Sequence, residues 1–194
     1  NDINPPLQYA AGIRFRAGDR LVFRTEVSSK FRKPTFNEKY WTPGGNPRLH
    51  PEKGWGGEVS GEWALKPRSE HGFQLDAMVT LYDQHIDNWI QWVARDSLTP
   101  VEYKKVHASG AEARLQFDLE GERIGLNGFA GYNFTHSVIT GTYDDNPLFV
   151  GQQMIYVPRH AIKTGVTARY TDLRLSVSST YSGRRETVET GDPL

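Results

Sequence analysis

Cysteine is absent from the 194 residues, which excludes disulfide frameworks, thiolate metal sites and cysteine nucleophiles together. A run of about 18 apolar residues, the least a membrane-spanning helix needs, is absent too. That excludes helical spans only, because a transmembrane β-strand needs about 10 residues with every second one apolar. Charge of one sign is not in excess. Lys+Arg and Asp+Glu both number 23 and neither forms a long run, so no nucleic-acid partner is expected. Dinucleotide and phosphate loops, metal-spaced His pairs and nucleophile elbows are also lacking, so no catalytic residue and no enzyme activity are expected. The chain opens Asn1-Asp2-Ile3-Asn4-Pro5-Pro6 without a Met, a basic start or an apolar signal segment, and we expect the true N-terminus to lie elsewhere.

What is present is spread thinly. Hydrophobic residues make up 37% of the chain and mean hydropathy is -0.60, too polar for the single core that a soluble domain of this length buries. Disorder is a poor reading as well, since 12% aromatic content, Gly 19 and zero net charge are not its signature.

The apolar residues recur at spacing two. Side chains on a strand point alternately to opposite faces, so a strand between lipid and water must alternate strictly. Eight segments do so, at 7–16, 20–31, 55–66, 73–92, 111–119, 123–135, 162–170 and 173–181. In the first, Leu7, Tyr9, Ala11, Ile13 and Phe15 oppose Gln8, Ala10, Gly12, Arg14 and Arg16. In the fifth, Ala111, Ala113, Leu115, Phe117 and Leu119 oppose Glu112, Arg114, Gln116 and Asp118. Phe129 is the one bulky exception in the sixth. Most segments run about 10 residues or more, longer than the 5 or 6 usual in soluble sheets. A helix would need spacing three and four, and would not carry Gly and β-branched residues through its interior.

The connections are predicted to alternate short and long. Ala17-Gly18-Asp19, Pro67 to His71, Glu120-Gly121-Glu122 and Thr171-Asp172 read as tight turns, whereas Lys33 to Lys53, Ala94 to Tyr103, Thr140 to Arg159 and the tail from Gly183 read as long loops. Short periplasmic turns and long external loops are the habit of an up-and-down outer-membrane barrel. Phe31, Trp55, Trp89, Trp92 and Tyr181, near segment ends, are expected in an aromatic girdle at the headgroups.

Two stretches carry a family resemblance. Phe31-Arg32-Lys33-Pro34-Thr35-Phe36-Asn37-Glu38-Lys39-Tyr40-Trp41 closes one segment, and Gly44-Gly45-Asn46-Pro47-Arg48-Leu49-His50-Pro51-Glu52-Lys53-Gly54-Trp55 opens the next. The pair resembles the TonB-dependent receptors, in which a strand ends Arg-x-Pro-Thr-x-x-Glu-Leu-Tyr and resumes after Gly-Asn-Pro-x-Leu-x-Pro-Glu-Lys; Lys39 stands here in place of the Leu. Ile86-Asp87-Asn88-Trp89-Ile90-Gln91-Trp92, Gly110-Ala111-Glu112, Tyr156-Val157-Pro158-Arg159-His160 and Tyr181-Ser182-Gly183-Arg184-Arg185 follow in the family's order, so the likeness covers nearly the whole chain.

The resemblance implies an all-β fold, an antiparallel up-and-down transmembrane β-barrel segment of about eight strands from a wall of about 22. It implies that residues 1–194 are the C-terminal portion of the barrel, in the bacterial outer membrane, with the plug outside this sequence. It implies TonB-dependent uptake of a scarce ligand, cobalamin or a ferric siderophore, the Trp41–Pro47 loop looking most like those branches. Implied partners are the remainder of the barrel and the plug, on other chains or missing here, the TonB complex acting through the plug, outer-membrane lipid, the small-molecule ligand and a surface lipoprotein. The chain stops at Thr190-Gly191-Asp192-Pro193-Leu194 without the family's final strand and terminal aromatic. A third of a barrel standing alone would leave two unpaired edges in lipid, at several kcal/mol per unsatisfied group.

Ligand contacts in such a receptor come from external loops and the outer rim, which makes Tyr40, Trp41, His50, Asn88, Trp92 and Tyr143 the candidates. His160 reads as a rim residue. Asp144-Asp145-Asn146 offers oxygen ligands to calcium in an external loop, against the plainer reading of a solvated loop tip. Arg14, Arg24, Glu26, Glu58, Glu62, Glu112 and Arg114 form a mixed-sign inward wall suited to pairing with a plug. Glu58 and Glu62, four residues apart along a strand, are separated by roughly 13 Å, too far for paired acid and base work.

Two rival architectures stand beside this one. A self-contained eight-stranded outer-membrane barrel, with a structural, adhesion or enzymatic role, would have a narrow interior that side chains must fill. Inward Gly12, Gly56, Gly125, Gly131 and Gly165 leave it underfilled. A soluble carbohydrate-binding β-sandwich would need a continuous core that these thin faces do not supply.

Overall fold

The computed structural model describes residues 5–66, 72–94, 98–143 and 150–187. They form one 8-stranded sheet in which each strand pairs antiparallel with its neighbour in sequence. The strands are β1 (Ala10–Ala17), β2 (Leu21–Arg32), β3 (Glu52–Lys66), β4 (Phe73–Ala94), β5 (Leu98–Glu120), β6 (Ile124–Gly141), β7 (His160–Tyr170) and β8 (Leu173–Ser182), with one short helix, α1 (Phe36–Tyr40), between β2 and β3. β1 and β8 are the two edges of an open sheet. A closed eight-stranded barrel would pair them, and a sandwich would need a second sheet; the described residues show neither.

The alternation resolves into rows running across the strands. On one face Leu75, Phe117, Gly128, Val166 and Val177 lie side by side; the next rows are Ala77–Leu115–Ala130–Thr164–Ser179 and Val79–Ala113–Tyr132–Ile162–Tyr181. Leu81–Ala111–Phe134–His160 is the last largely apolar row, and the rows beyond it are Asp83–Ser109–His136 and His85–His107–Val138. Phe73 to Leu81 therefore bounds an apolar band of the length a tilted strand needs to cross a bilayer, about 9–11 residues. These side chains radiate away from the sheet: Ile13 is 70% exposed, Leu81 58% and Leu175 66%.

The opposite face is polar and hollow. Met78, Thr80, Glu112, Arg114, Asn133 and Lys163 line a hollow of about 440 Å³ there. Phe129 turns to this polar side, where the Arg114 guanidinium lies 5.8 Å from its ring centroid. It also covers Gly165, where a Cβ would sit 2.6 Å from the ring. Phe117 covers Gly128 in the same way on the apolar face, so aromatic rings fill the gaps that strand glycines leave.

Two connections depart from expectation. The fifth strand begins at Leu98 rather than near Ala111, and the loop expected over Ala94 to Tyr103 is strand on both sides of residues 95–97. Trp89, Gln91 and Val93 pair there with Tyr103, Val101 and Thr99. At about 3.3 Å per residue, a strand of 22 residues is over 70 Å long, far more than a bilayer crossing requires, so β4 and β5 stand well clear of the band. The sixth strand likewise runs on to Gly141, and residues 151–157 fold back along it through a Val138–Gln153 bridge. Lengthened strands do the work predicted of a loop, because tertiary partners stabilise residues whose alternation is weak.

The girdle expectation is corrected at two positions. Trp89 packs against a buried cluster of Tyr103, Val106, Ile139 and Met154, and Trp92 is half-buried opposite Pro100. Trp89 lies eight residues beyond Leu81 and Trp92 eleven, about 26 and about 36 Å along the strand, beyond where a headgroup girdle would sit. Trp55 and Tyr181 keep the outward positions expected of them.

Candidate functional site

The end of the sheet away from the tight turns is built around one arginine. Thr35 caps α1: its side chain accepts from the Glu38 N–H while the Glu38 carboxylate accepts from the Thr35 N–H, a reciprocal capping box. Arg32, the last residue of β2, donates from Nη1 to both Glu38 oxygens at 2.9 and 3.0 Å. It also donates to Glu52, the first residue of β3, and Glu52 accepts from the Ile90 N–H of β4 at 2.8 Å. Burial alone would raise the Glu38 pKa, but the Thr35 N–H and the Arg32 guanidinium outweigh it and hold the carboxyl below its usual range. The two stretches that carried the family likeness are thus the two halves of one ionic knot.

The knot fixes the path of the 41–51 loop. Gly44 lies so close to β5 that a Cβ would meet the Leu98 carbonyl oxygen, which is why no larger residue fits there. The loop delivers His50 to β5. Its backbone N–H donates to Glu102 Oε2 at 2.7 Å and its ring Nδ1 to Oε1 at 3.0 Å, and the Glu102 side chain is only 9% exposed. Tyr143 leans over His50 with ring centroids 6.3 Å apart, and its hydroxyl donates to Asn88 Oδ1. Asn88 Nδ2 in turn donates to the Pro51 carbonyl at 3.0 Å. Burial, with the Glu102 carboxylate second, raises the Tyr143 pKa. Asn88 stands at φ 60 inside a strand, a left-handed conformation that asparagine adopts more readily than other side chains.

Of the six predicted contact residues, the structure therefore brings His50, Asn88 and Tyr143 together. Tyr40 and Trp41 lie apart from them, on α1 and its C-terminal cap; both are exposed, and the Tyr40 ring pairs with Phe36 at 5.1 Å. Trp92 lies further along β4 and is not part of the group. Asp144 and Asp145, with the calcium expected of them, fall outside the described residues. Glu102 was missed, because the Ala94–Tyr103 stretch was read as loop; its signal was the Val101-Glu102-Tyr103 run, whose two flanking residues favour strands. His160 sits at the start of β7, its Nδ1 2.8 Å from the Tyr132 hydroxyl.

Below this end, the mixed-sign wall pairs in part with itself, as Arg24 with Glu62. The His50 group offers aromatic faces, hydroxyl and amide hydrogen-bonding groups and a buried carboxylate. Such groups are the kind that can engage a polar molecule by stacking and hydrogen bonds.

Comparison with known proteins agrees with the architecture. The family model described as TonB dependent receptor-like, beta-barrel matches residues 6–193. The vitamin B12 transporter BtuB of Photobacterium profundum is 30% identical over 166 residues, which cover 84% of this chain and 25% of that protein. The vitamin B12 transporter BtuB of Vibrio vulnificus is 29% identical over 111 residues, 55% of this chain and 17% of that protein. The chain thus spans about a quarter of the length of the relatives it matches. With the family model running along almost all of an all-β, up-and-down sheet that is apolar outside and polar within, this chain belongs to the TonB-dependent receptor β-barrel family.

Proposed function

We propose that this chain is the C-terminal portion of the barrel wall of a TonB-dependent outer-membrane receptor, and that the assembled receptor imports vitamin B12 rather than catalysing a reaction. The observation that carries the membrane reading is the apolar band from Phe73 to Leu81 on the outer face, bounded by the polar Asp83 row. Support for the ligand comes from the two relatives, both vitamin B12 transporters. On this reading the remaining strands and a plug complete the wall, TonB acts through the plug, and His50, Asn88 and Tyr143 line the entrance with Glu102 beneath them.

The test is growth of a host that requires external vitamin B12, with the gene carrying this chain deleted and then restored. Loss of growth on limiting vitamin B12, with normal growth on excess, is expected. Unimpaired uptake of vitamin B12 together with failure on a ferric siderophore as sole iron source would reassign the ligand to the siderophore class. Unimpaired uptake of both would remove the import reading.

A further inference from the structure

Just beyond the last apolar row, the outer face carries a group that import does not use. His85 on β4 and His107 on β5 are direct cross-strand partners, and Asp83 precedes His85 by two residues, on the same face. Their rings lie parallel, 9° apart with centroids at 4.4 Å. Both present the same atom to one carboxylate: His85 Nε2 is 2.9 Å from Asp83 Oδ1, and His107 Nε2 is 2.6 Å from Asp83 Oδ2. Trp55, opposite His85 on β3, stacks on it at 4.8 Å.

We propose that Asp83, His85 and His107 form a binding site for a divalent transition-metal cation, of the zinc, nickel or copper class, on the outside of the barrel wall. Three arguments converge. Ligand atoms from all three residues lie within 4.8 Å of one another, the one such grouping among the described residues. The ladder sets the two imidazoles side by side before any ion arrives, opposite residues holding Cβ atoms about 4.5–5.5 Å apart; from their parallel stack each ring must turn about its Cβ–Cγ bond to aim Nε2 at a shared ion. The donor set is two imidazole nitrogens and one carboxylate oxygen, which suits zinc, nickel and copper and not calcium or magnesium, whose ligands are oxygens.

Binding through both Nε2 atoms requires each neutral ring to carry its proton on Nδ1, and the contacts that now join the rings to Asp83 give way to the shared cation. Tetrahedral ligands about 2.0–2.1 Å from a metal lie about 3.3 Å apart, so the 2.6 and 2.9 Å separations must open by several tenths of an ångström. His85, with its side chain 47% exposed, has room to give. Trp55 limits His85 on its other face and holds the ring edge toward Asp83.

The experiment uses the full-length receptor that carries this chain, purified in detergent and stripped with chelator. Zn2+ is titrated against a chromogenic chelator, and Co2+ is added separately for its visible absorption. One equivalent of Zn2+ bound above the His85→Ala, His107→Ala double variant is expected, with Co2+ absorption typical of a tetrahedral nitrogen and oxygen site. Each single variant should weaken Zn2+ by on the order of 100-fold. Vitamin B12 binding by the variants should be unchanged, which separates failure here from failure of the import reading. Heat-modified migration on gels shows whether each variant is folded; where His107→Ala is not, His107→Asn replaces it. Zn2+ binding equal in the wild-type protein and the folded variants, or no stoichiometric binding at all, overturns the proposal and leaves the trio a hydrogen-bonded patch of the outer wall.

Discussion

Arg32 and Glu52 face each other across the last rung of the β2–β3 ladder, and the guanidinium grips the carboxylate twice, Nε to Oε2 at 2.6 Å and Nη2 to Oε1 at 2.5 Å. The same guanidinium holds Glu38, so one side chain closes two strands and seats the helix that leads into the 41–51 loop. Arg32→Ala strands two largely buried carboxylates, with side chains 8% and 11% exposed. We expect a loss of about 2 kcal/mol, discounted from the usual cost of breaking a buried pair because the guanidinium itself is partly solvated. Arg32→Lys should not restore it, since an ammonium cannot make the planar two-point grip. Thermal unfolding in detergent and protease cleavage within the loop measure both.

The same knot gives the loop an acid dependence. The folded-state pKa of Glu38 lies below its ordinary value of 4.5, so the stabilisation is present above that value and is lost as the pH falls through the depressed one. Protection of the loop amides, measured against their intrinsic exchange rates at each pH, should be high at neutral pH and fall below pH 4.5. In Glu38→Gln the exchange should already be fast at neutral pH, and this acid-triggered component should be absent.

Tyr143→Phe removes the hydroxyl that holds Asn88, and His50→Ala removes the ring beneath it. A neutral hydrogen bond contributes about 1 kcal/mol, so Tyr143→Phe should weaken vitamin B12 about five-fold, and His50→Ala, which removes a whole ring and its bond to a carboxylate, at least as much. The unfolding temperature of the barrel should stay unchanged. Equilibrium dialysis with the ligand checks the affinity; unchanged affinity in both variants moves the ligand contact elsewhere, Tyr40 and Trp41 being next in order.

Gly110 lies so close to β6 that a Cβ would strike the Phe134 carbonyl and the Tyr82 hydroxyl, which is 2.5 Å away. The carbonyl is backbone held in a ladder and cannot step aside. Gly110→Ala should cost about 1–3 kcal/mol, as overpacking usually does. A lower folded fraction on heat-modified gels is the readout.

Depth in the membrane should be measurable by charge. Ala77 lies mid-way between Phe73 and Leu81 on the outer face, whereas Ser109 sits in the first polar row. Ala77→Arg should cost about 2–4 kcal/mol and Ser109→Arg about 0–1 kcal/mol. Equal penalties at the two positions would place the bilayer elsewhere on the sheet.

The strands of the membrane band were legible because their alternation is local. Leu115, Phe117 and Leu119 announce a strand with one oily face whatever their neighbours do. The stretch 98–106 was not legible, since Val101, Tyr103 and Val106 break the period and Pro100 interrupts it. Trp89, Ile139 and Met154 hold it in place, and none of them is near it in sequence. At the end of the sheet away from the tight turns, loop position and residue type name His50, Asn88 and Tyr143 but equally Tyr40, Trp41 and Trp92, which the structure does not bring to the same group. The meeting of the first three through Glu102 and Pro51 was not legible, because it depends on how a loop after β2 crosses to β5.

The amino-acid order by itself determined the period of two, hence an all-β wall with an apolar outside and a polar inside, and its tight turns. Only the tertiary structure decided which residues share a row and where the wall stops being apolar. Period is a property of consecutive residues, whereas a row is a property of register, set by hydrogen bonds between strands and by the paths of the loops that join them. Asp83, His85 and His107 are ordinary alternating residues along the chain, and the β4–β5 register brings their nitrogens and oxygens within 4.8 Å of one another.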